Sequence, residues 1–277
     1  SKWAESFIND LVALREEQRK FNDKILGPAA RKILVKDFMK AKKRLVFLDY
    51  DGTLIPFSED PRTAKPGRKL LKILEGIAAN EKTQIVLTSG RNRDTLQNWF
   101  GSLDIELIAE HGIWLKRKSK DWQMIKPLTN EWKAQILPVL ETYADRLPGS
   151  FVEEKEYSAV WHYRRADTET SSLIAKELVD YLINFTANID VQVMQGHKVI
   201  EIADVDVNKS SAGMHWLSGN KADFIMAIGD DWTDEYLFKV LPETAYTIRV
   251  GMTQSYARFH LRNNKEVLEL LGRLVRS

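Results

Sequence analysis

Residues 45–53 read LVFLDYDGT, a short apolar run that leads directly into two carboxylates separated by one tyrosine. A continuous apolar run of this length is typical of a central parallel strand that is buried on both faces. The pattern recurs where residues 85–87 lead into TSGR and where residues 224–228 lead into GDD. Helical periodicity lies between or after these runs, so the alternation predicts an α/β fold with a doubly wound, parallel sheet of the Rossmann-like type. We expect helices at 67–79, 93–100 and 232–241.

The polar residues that follow these strands are predicted to meet. The carboxyl ends of parallel strands form the ligand crevice of such a sheet, and they carry Asp49, Asp51, Ser89 and Asp230. Carboxylates crowded into one site repel each other, and a hard divalent cation with oxygen ligands offsets that repulsion. A carboxylate is also a competent nucleophile towards phosphorus once a metal offsets the negative charge of both reactants. The sequence therefore predicts a Mg²⁺ site and phosphoryl chemistry at this edge of the sheet.

The rhythm of strands and helices changes between residues 113 and 204. This part contains a strand pair near Trp114 and Met124, then a helix, two strands, a second helix and a hairpin around Gly196. We interpret these elements as a small α+β cap inserted into the α/β core. The predicted division is 1–43 as N-terminal helices, 44–112 with 205–277 as the core, and 113–204 as the cap. Within the cap the later elements are expected at 131–147, 151–154, 159–164, 173–185 and 191–202, and before the core a helix is expected at 29–41.

Composition excludes several classes of protein. A chain of 277 residues with 44% hydrophobic content is long enough for two domains of unequal size. Lys and Arg number 41 against 39 Asp and Glu, so no nucleic-acid footprint is indicated. The absence of cysteine excludes disulfides, thiolate metal sites and cysteine nucleophiles. No apolar run reaches the roughly 18 to 20 residues that span a bilayer, so we expect a soluble, cytoplasmic protein without a nucleic-acid or membrane partner.

Four short motifs follow one another along the chain: DYDGT at 49–53, SGR at 89–91, NK at 208–209 and GDDWTD at 229–234. In this order they resemble the four motifs of the haloacid dehalogenase superfamily of phosphotransferases. That resemblance implies that Asp49 attacks phosphorus and becomes phosphorylated, while Asp51 protonates the departing sugar oxygen and later deprotonates the hydrolytic water. Ser89 and Lys209 would bind phosphoryl oxygens, where fixed donors stabilise the developing charge.

The same resemblance implies the composition of the Mg²⁺ site. The metal ligands would be Asp49, Asp230 and the backbone carbonyl of Asp51. Asp231 and Asp234 would support the metal's water molecules without binding the metal directly.

Each of these residues also has a simpler interpretation from the sequence alone. A carboxylate pair can end a strand in a solvated turn, a serine can cap a helix, and a lysine at a helix start can be a surface residue. Acids in the first turn of a helix are favoured by the helix dipole. These alternatives apply in turn to Asp49 with Asp51, to Ser89, to Lys209, and to Asp231 with Asp234.

Further signs narrow the resemblance to trehalose-6-phosphate phosphatases, over about residues 44–250. They are SGR at 89–91, EHG at 110–112, EEK at 153–155, HYR at 162–164, and GHK at 196–198 leading to Glu201. Carboxylates paired with cationic donors suit a disaccharide with many hydroxyl groups. By this resemblance the substrate would be bound by Arg91, Glu153, Lys155, Arg164, His197, Lys198 and Glu201. The two-residue alternation of a strand would place His162 and Arg164 on one face. Each cap residue is otherwise a solvent-facing charge or a cross-strand pair.

The resemblance implies a Mg²⁺-dependent phosphatase that hydrolyses trehalose 6-phosphate to trehalose and phosphate through a phospho-aspartate. Two alternatives remain open: a phosphatase for another sugar phosphate, such as sucrose 6-phosphate or mannosyl-3-phosphoglycerate, and a regulatory domain without turnover. The helical pattern at 3–14 resembles the closing helix of a trehalose-6-phosphate synthase domain that precedes the phosphatase in fused chains. Otherwise it is an amphipathic helix packed on this domain's own surface.

Overall fold

The computed structural model describes residues 24–58, 63–196, 198–206, 208–219 and 221–275. Within these ranges the chain forms two sheets, one of eight strands and one of four. The helical pattern at 3–14 and His197 lie outside the described residues, so what was predicted for them stays a prediction. In the described part of the chain no helix has both the length and the apolar character needed to cross a bilayer.

The eight-stranded sheet has the order β12-β11-β10-β1-β2-β3-β4-β5. Its six strands from β12 to β3 pair in parallel, which confirms the predicted α/β fold. The chain runs outward from β1 to β3 on one side and from β10 to β12 on the other, so the strand order reverses at β1. Ligands bind at such reversal points in open α/β sheets. The strands are β1 Arg44–Asp49, β2 Thr83–Thr88, β3 Glu106–Ala109, β4 Trp114–Lys116, β5 Trp122–Met124, β10 Phe224–Gly229, β11 Tyr246–Val250 and β12 Phe259–Leu261.

Helices cover both faces of this sheet, and β1 shows why its apolar run is continuous. Val46 and Leu48 pack with the helices of one layer, while the alternate residues Leu45 and Phe47 pack with those of the other. Because successive side chains of a strand point to opposite faces, a strand between two helical layers needs apolar residues at every position. One layer contains α1 Pro28–Lys40, α2 Arg68–Ala78, α3 Arg93–Phe100 and α8 Asn264–Val275, and the other contains α6 Lys209–Gly219 and α7 Trp232–Val240.

The four-stranded sheet is antiparallel and has the order β6-β7-β9-β8. Two helices cover one of its faces, where Trp161, Ile200 and Leu178 lie in a separate apolar cluster. The opposite face carries Glu153, whose register partner is Val160, and Glu201, which pairs with Val160 from the other side. The pleat therefore separates an apolar face from a polar one. The elements are α4 Lys133–Arg146, β6 Phe151–Glu154, β7 Ser158–His162, α5 Thr168–Phe185, β8 Val191–Gly196 and β9 Val199–Asp204.

One predicted element belongs to the other sheet. The strand pair near Trp114 and Met124 was assigned to the cap, but it forms β4 and β5 at the edge of the eight-stranded sheet. The short turn at Glu110–Gly112 leaves β4 no room for a crossover, so it pairs antiparallel with β3. We therefore use the name cap for residues 132–204, the four-stranded sheet with its two helices. That this cap moves as a domain remains a proposal.

Candidate active site

The carboxyl end of β1 carries the two carboxylates of the DYDGT motif. Asp49 is the last residue of the strand and is buried, and Asp51 lies in the turn that follows. Gly52 has φ +83°, and a Cβ at this position would collide with the Asp230 carboxylate and the Phe57 ring. Only glycine combines this left-handed conformation with so close an approach. The sequence therefore bends sharply at the point where the two acids must face the crevice.

Lys209 is a buried lysine that joins two of the acids. Its Nζ lies 2.6 Å from Asp49 Oδ1 and 2.8 Å from Asp234 Oδ1, and only 2% of its side chain is exposed. Asn208 caps α6 through its Oδ1, which accepts the backbone N–H groups of Ser210 and Ser211, and so fixes where Lys209 begins the helix. Burial opposes the charged form, but Asp234 and Asp49 outweigh it and raise the pKa of Lys209. The surface-lysine interpretation is therefore wrong.

The third strand end, between β10 and α7, holds three further acids. Asp234 Oδ2 accepts the backbone N–H groups of Asp230 and Asp231, each at 3.1 Å. Thr53 Oγ1 donates to Asp230 Oδ1 at 3.0 Å and so connects this turn to the DYDGT motif. Asp231 caps α7 in a reciprocal arrangement with Asp234. Both oxygens of Asp234 are thus engaged by the protein, whereas Asp230 faces Asp49.

The donor set fits a hard divalent cation. Carboxylate oxygens of Asp49, Asp230 and Asp234 lie within 4.8 Å of one another. Burial, followed by the neighbouring Asp234, raises the pKa of Asp49 to about 7 against the opposing effect of Lys209, and burial with Asp49 raises that of Asp230 to about 9. Burial is the larger cause of both shifts, and the neighbouring acids add to it. Oxygen ligands and a charge deficit are what Mg²⁺ requires, and Asp49 and Asp230 have the oxygens to supply.

The loop after β2 brings Ser89 and Arg91 to Asp51. Arg91 grips the Asp51 carboxylate with two donors, Nε at 2.9 Å from Oδ2 and Nη2 at 2.6 Å from Oδ1. Ser89 Oγ is 3.5 Å from Asp51 Oδ2 and accepts the backbone N–H of Arg91. The N-cap of α3 is Asn92, which accepts from Thr95 at 2.8 Å, so Ser89 does not serve as the helix cap.

A cavity of about 870 Å³ separates this edge of the large sheet from the polar face of the cap. Its size lies within the range of small-molecule sites. Asp49, Asp51, Arg91 and Lys209 line it from one side. From the cap it is lined by Glu153, Lys155, His162, Arg164 and Glu201. These predicted residues of the core and of the cap therefore face a common space.

Two predicted cap residues occupy different surroundings. Arg164 lies beyond the end of β7, where its Nη1 donates to the Ser58 carbonyl at 2.6 Å, yet it still lines the cavity. Lys198 has φ +63°, and its Nζ lies 3.3 Å from Ser171 Oγ on α5. Lys198 is not one of the described residues that line the cavity. The structure thus supports a position at the site for Arg164 but not for Lys198.

Glu153 and Glu201 are each hydrogen-bonded by side chains of the protein itself. His162 Nε2 lies 2.7 Å from Glu153 Oε2, and this hydrogen bond lowers the pKa of Glu153 although burial opposes it. Glu201 Oε1 accepts from Lys155 at 3.2 Å and from Ser158 at 2.7 Å. Burial alone would raise the pKa of Glu201, but Lys155 and a second histidine, His111, hold it below its usual range.

His111 is a site residue for which no role was predicted from the sequence. It lies in the turn after β3, and its Nε2 is 3.1 Å from Glu201 Oε2. Both Glu110 and His111 adopt left-handed backbone conformations, with φ 51° and 55°. Such strain costs about 1–3 kcal/mol per residue and clusters at functional sites. The available signal was the position of a histidine at a strand end next to the strand that carries Ser89.

Comparison with known proteins identifies the family of the chain. Residues 47–267 match the family profile of trehalose-phosphatase. The bifunctional trehalose-6-phosphate synthase/phosphatase of Thermoproteus tenax is 35% identical over 275 residues, which are 99% of this chain and 38% of that protein. The trehalose-phosphatase of Saccharomyces cerevisiae is 33% identical over 321 residues, 99% of this chain and 35% of that one. The chain therefore spans little more than a third of the length of these relatives.

A solved structure covers the same region. The C-terminal domain of the trehalose-6-phosphate phosphatase of C. albicans superposes with a TM-score of 0.84 and 31% sequence identity. The superposition includes 89% of this chain and 97% of that chain. On the family match and the agreement in fold, the chain belongs to the trehalose-phosphatase family.

Proposed function

We propose that this chain hydrolyses trehalose 6-phosphate to trehalose and phosphate through a phospho-aspartate at Asp49. The observation that carries the proposal is the shared cavity, which has the side chains of Asp49 and Lys209 on one wall and those of Glu153 and Glu201 on the other. The family match and the names of the relatives support the choice of ester. Localisation in the cytoplasm is part of the same proposal.

In the first step an oxygen of Asp49 forms a bond to phosphorus as the bond from phosphorus to the sugar oxygen breaks. Lys209, 2.6 Å from Asp49, would bind a phosphoryl oxygen together with the Ser89 hydroxyl and offset its charge. Asp51 in its acid form gives its proton to the leaving sugar oxygen, which is otherwise a poor leaving group. The products of this step are trehalose and phospho-Asp49.

In the second step Asp51, now a carboxylate, accepts a proton from water as the water oxygen bonds to phosphorus. The bond between phosphorus and Asp49 breaks, phosphate leaves, and both aspartates return to their starting forms. Arg91 donates to both oxygens of Asp51 and so orients this side chain for the step. We propose that an arriving phosphate competes for Arg91.

The residues present fit Mg²⁺, which would be held by Asp49, Asp230 and the backbone carbonyl of Asp51. When bound, it supplies positive charge that reduces repulsion between the Asp49 carboxylate and the phosphate. Asp234 keeps Lys209 and the β10–α7 turn in place through its two engaged oxygens. Asp231, as the helix cap, would orient water molecules at the edge of the site.

On the cap, Glu153, Lys155, Arg164 and Glu201 are proposed to bind the hydroxyl groups of the disaccharide. Charge-assisted hydrogen bonds of this kind fix the orientation of a ligand. His197 and Lys198 enter only through the family resemblance, and the contact between Lys198 and Ser171 counts against Lys198. The names of several relatives also describe synthase activity, so we propose a synthase domain in the same polypeptide as a partner.

The test is release of phosphate with Mg²⁺ from trehalose 6-phosphate, beside glucose 6-phosphate and sucrose 6-phosphate. We expect selective release from trehalose 6-phosphate and a loss of several orders of magnitude in Asp49→Asn, because no nucleophile remains. Preference for another ester would identify a different substrate and leave the proposed mechanism unchanged. Tight binding of trehalose without release from any ester would instead favour a regulatory domain.

A further inference from the structure

Five residues connect the two walls of the cavity, and we refer to them as the core–cap cluster. Gly90 and His111 belong to the large sheet, and Lys155, Ser158 and Glu201 belong to the cap. Within this cluster two contacts cross between the walls: Lys155 Nζ donates to the Gly90 carbonyl at 2.9 Å, and His111 Nε2 lies 3.1 Å from Glu201 Oε2. The side chains of Lys155 and Glu201 are each 9% exposed, so water screens these contacts little.

Within the core–cap cluster, His111 contacts the Glu201 carboxylate from the side of the large sheet. Glu201 Oε1 accepts from Lys155 and Ser158, which both lie in the cap, whereas Oε2 is met by His111. A carboxylate oxygen can only accept here, so the hydrogen of this contact is on His111 Nε2. Among the described residues His111 Nδ1 is buried without a hydrogen-bond partner. The imidazole is therefore oriented by Glu201 and by packing alone.

The backbone at residues 89–91 and 110–111 positions the His111 side chain. A Cβ on residue 90 would collide with the imidazole, so the glycine of the SGR motif leaves the space that His111 fills. His111 N donates to the Ser89 carbonyl at 3.1 Å, and Glu110 N donates to the Arg91 carbonyl at 3.0 Å. These bonds hold two successive left-handed residues against the loop that carries Ser89 and Arg91. Strained conformations persist where the surroundings enforce them, as here.

We propose that His111 is a positioning residue for sugar recognition, which fixes the Glu201 carboxylate and thereby sets the closed position of the cap over Asp49. This inference rests on the proposed function, since it takes Glu201 to bind a sugar phosphate. Lys155 and His111 then form two crossing points, one to the Gly90 carbonyl and one to the Glu201 carboxylate. The phosphoryl-binding loop and the sugar-binding face are aligned only when both crossings are made.

The proposed role of His111 predicts different effects on a sugar phosphate and on a small aryl phosphate. An ester with a full sugar depends on the alignment of Glu201, whereas a small aryl phosphate reaches Asp49 without touching the cap face. Loss of the His111 contact should therefore raise KM for the sugar phosphate and leave the aryl ester nearly unaffected. A residue needed only for folding, or for the chemical step, would change both esters alike.

The decisive variants are His111→Asn and His111→Gln, which introduce the same amide on side chains that differ by one methylene. Asparagine tolerates the left-handed backbone but is too short to reach Glu201, while glutamine is long enough to donate to it. His215→Ala is the matched control, because His215 is exposed on α6 and contacts Arg117. Each variant is assayed with p-nitrophenyl phosphate and with the sugar phosphate that the unmodified protein hydrolyses best.

We expect His111→Asn to lower kcat/KM for the sugar phosphate about ten- to a hundredfold, as for a lost hydrogen bond to a charged group, mainly through KM. With p-nitrophenyl phosphate the change should stay below about twofold, and His111→Gln should recover most of the loss. Binding of trehalose in the presence of Mg²⁺, measured by calorimetry, should weaken in parallel. His215→Ala should match the unmodified protein in every assay.

A double variant tests the route through Glu201. If His111 acts through that carboxylate, His111→Asn should add little to Glu201→Gln, so the two losses are not additive. Additive losses, equal losses on both esters, or an unchanged His111→Asn would each overturn the proposal. Failure of the unmodified protein to hydrolyse any sugar phosphate would instead overturn the proposed function, which the same assay reads separately.

Discussion

Two sets of carboxylates lie on opposite sides of the cavity, and their pKa values move in opposite directions. On the core wall, burial and neighbouring acids raise the pKa of Asp49 to about 7 and of Asp230 to about 9. On the cap wall, the pKa values of Glu153 and Glu201 are lowered, because histidine and lysine side chains outweigh burial. The cap wall thus balances its own charge, whereas the core wall leaves a deficit of positive charge. This difference agrees with the proposal that the core wall binds a cation and the cap wall binds hydroxyl groups.

The largest effect should come from removing the buried cation of the core wall. Lys209→Met leaves Asp49 and Asp234 without their shared partner, which should destabilise the fold by about 3–5 kcal/mol. It should also lower kcat on every phosphate ester by about 10²–10³, since a donor to the transferring group is lost. Unfolding in urea and phosphate release measure the two effects.

Lys133→Met is the control, since Lys133 is a buried lysine of the cap that donates to the Lys155 carbonyl and contacts Glu154. We expect it to lower stability and to leave turnover of p-nitrophenyl phosphate within about twofold, because it bonds to no core residue that touches phosphate. Equal losses of turnover in both variants would remove the distinction between the walls.

A smaller effect on stability should follow when Mg²⁺ is added to supply positive charge to the core wall. Mg²⁺ at a hundred times its Kd should stabilise the unmodified protein by about 2.7 kcal/mol, which is the linkage expected for one site. Asp230→Asn should lose most of this increment, since it removes a ligand and half of the charge that attracts the cation. Glu201→Gln on the cap should keep it in full. Thermal unfolding with Mg²⁺ or with a chelator measures the increments, and an undiminished increment in Asp230→Asn would place the metal elsewhere.

The contribution of Glu201 on the cap to stability should depend on pH and be independent of Mg²⁺. Glu201→Gln should destabilise the fold by about 1–3 kcal/mol near pH 7, because Lys155 loses a charged partner. The folded-state pKa of Glu201 lies below its unfolded value, so its contribution is present above about pH 4.3 and is lost as the pH falls towards the folded pKa. The difference between the two proteins should therefore shrink below about pH 4.3 and be independent of Mg²⁺.

Urea unfolding between pH 7 and pH 3 gives this profile. Glu154→Gln, at a carboxylate that is 58% exposed, is the matched control and should change stability by less than about 0.5 kcal/mol throughout. A difference for Glu201→Gln that grows as the pH falls would contradict the assigned direction of the shift.

The core wall could be predicted from the sequence because its residues follow strands that have a strong local signal. The run before Asp49 and the runs before Ser89 and Asp230 identify central strands, and parallel strands bring their ends together without further information. In the structure Asp49 and Lys209 line the cavity, Ser89 lies 3.5 Å from Asp51, and Asp230 lies within 4.8 Å of Asp49. Their chemical roles stay predictions.

What the sequence missed depends on contacts between distant segments. The alternation that identified β4 and β5 as strands says nothing about which sheet they join, since the pairing depends on the turn at Glu110–Gly112. The left-handed conformation of His111 likewise depends on bonds to residues 89–91 and not on its own sequence neighbours. The polar face of the cap was predictable from two-residue alternation as far as β7 extends, to His162.

The smallest predicted effect concerns Lys198, which lies outside the strands, where the two-residue alternation no longer applies. Lys198 lies in the turn between β8 and β9, and its ammonium group is 3.3 Å from Ser171 and 5.5 Å from the centre of the Tyr163 ring. Lys198→Met should therefore change KM for the sugar phosphate by less than about twofold, since methionine keeps the apolar stem that packs on the ring. Arg164→Met, which removes a guanidinium that lines the cavity, should raise KM about tenfold or more. A tenfold increase in Lys198→Met would show that this lysine turns to the sugar when the substrate binds, as the family resemblance implies.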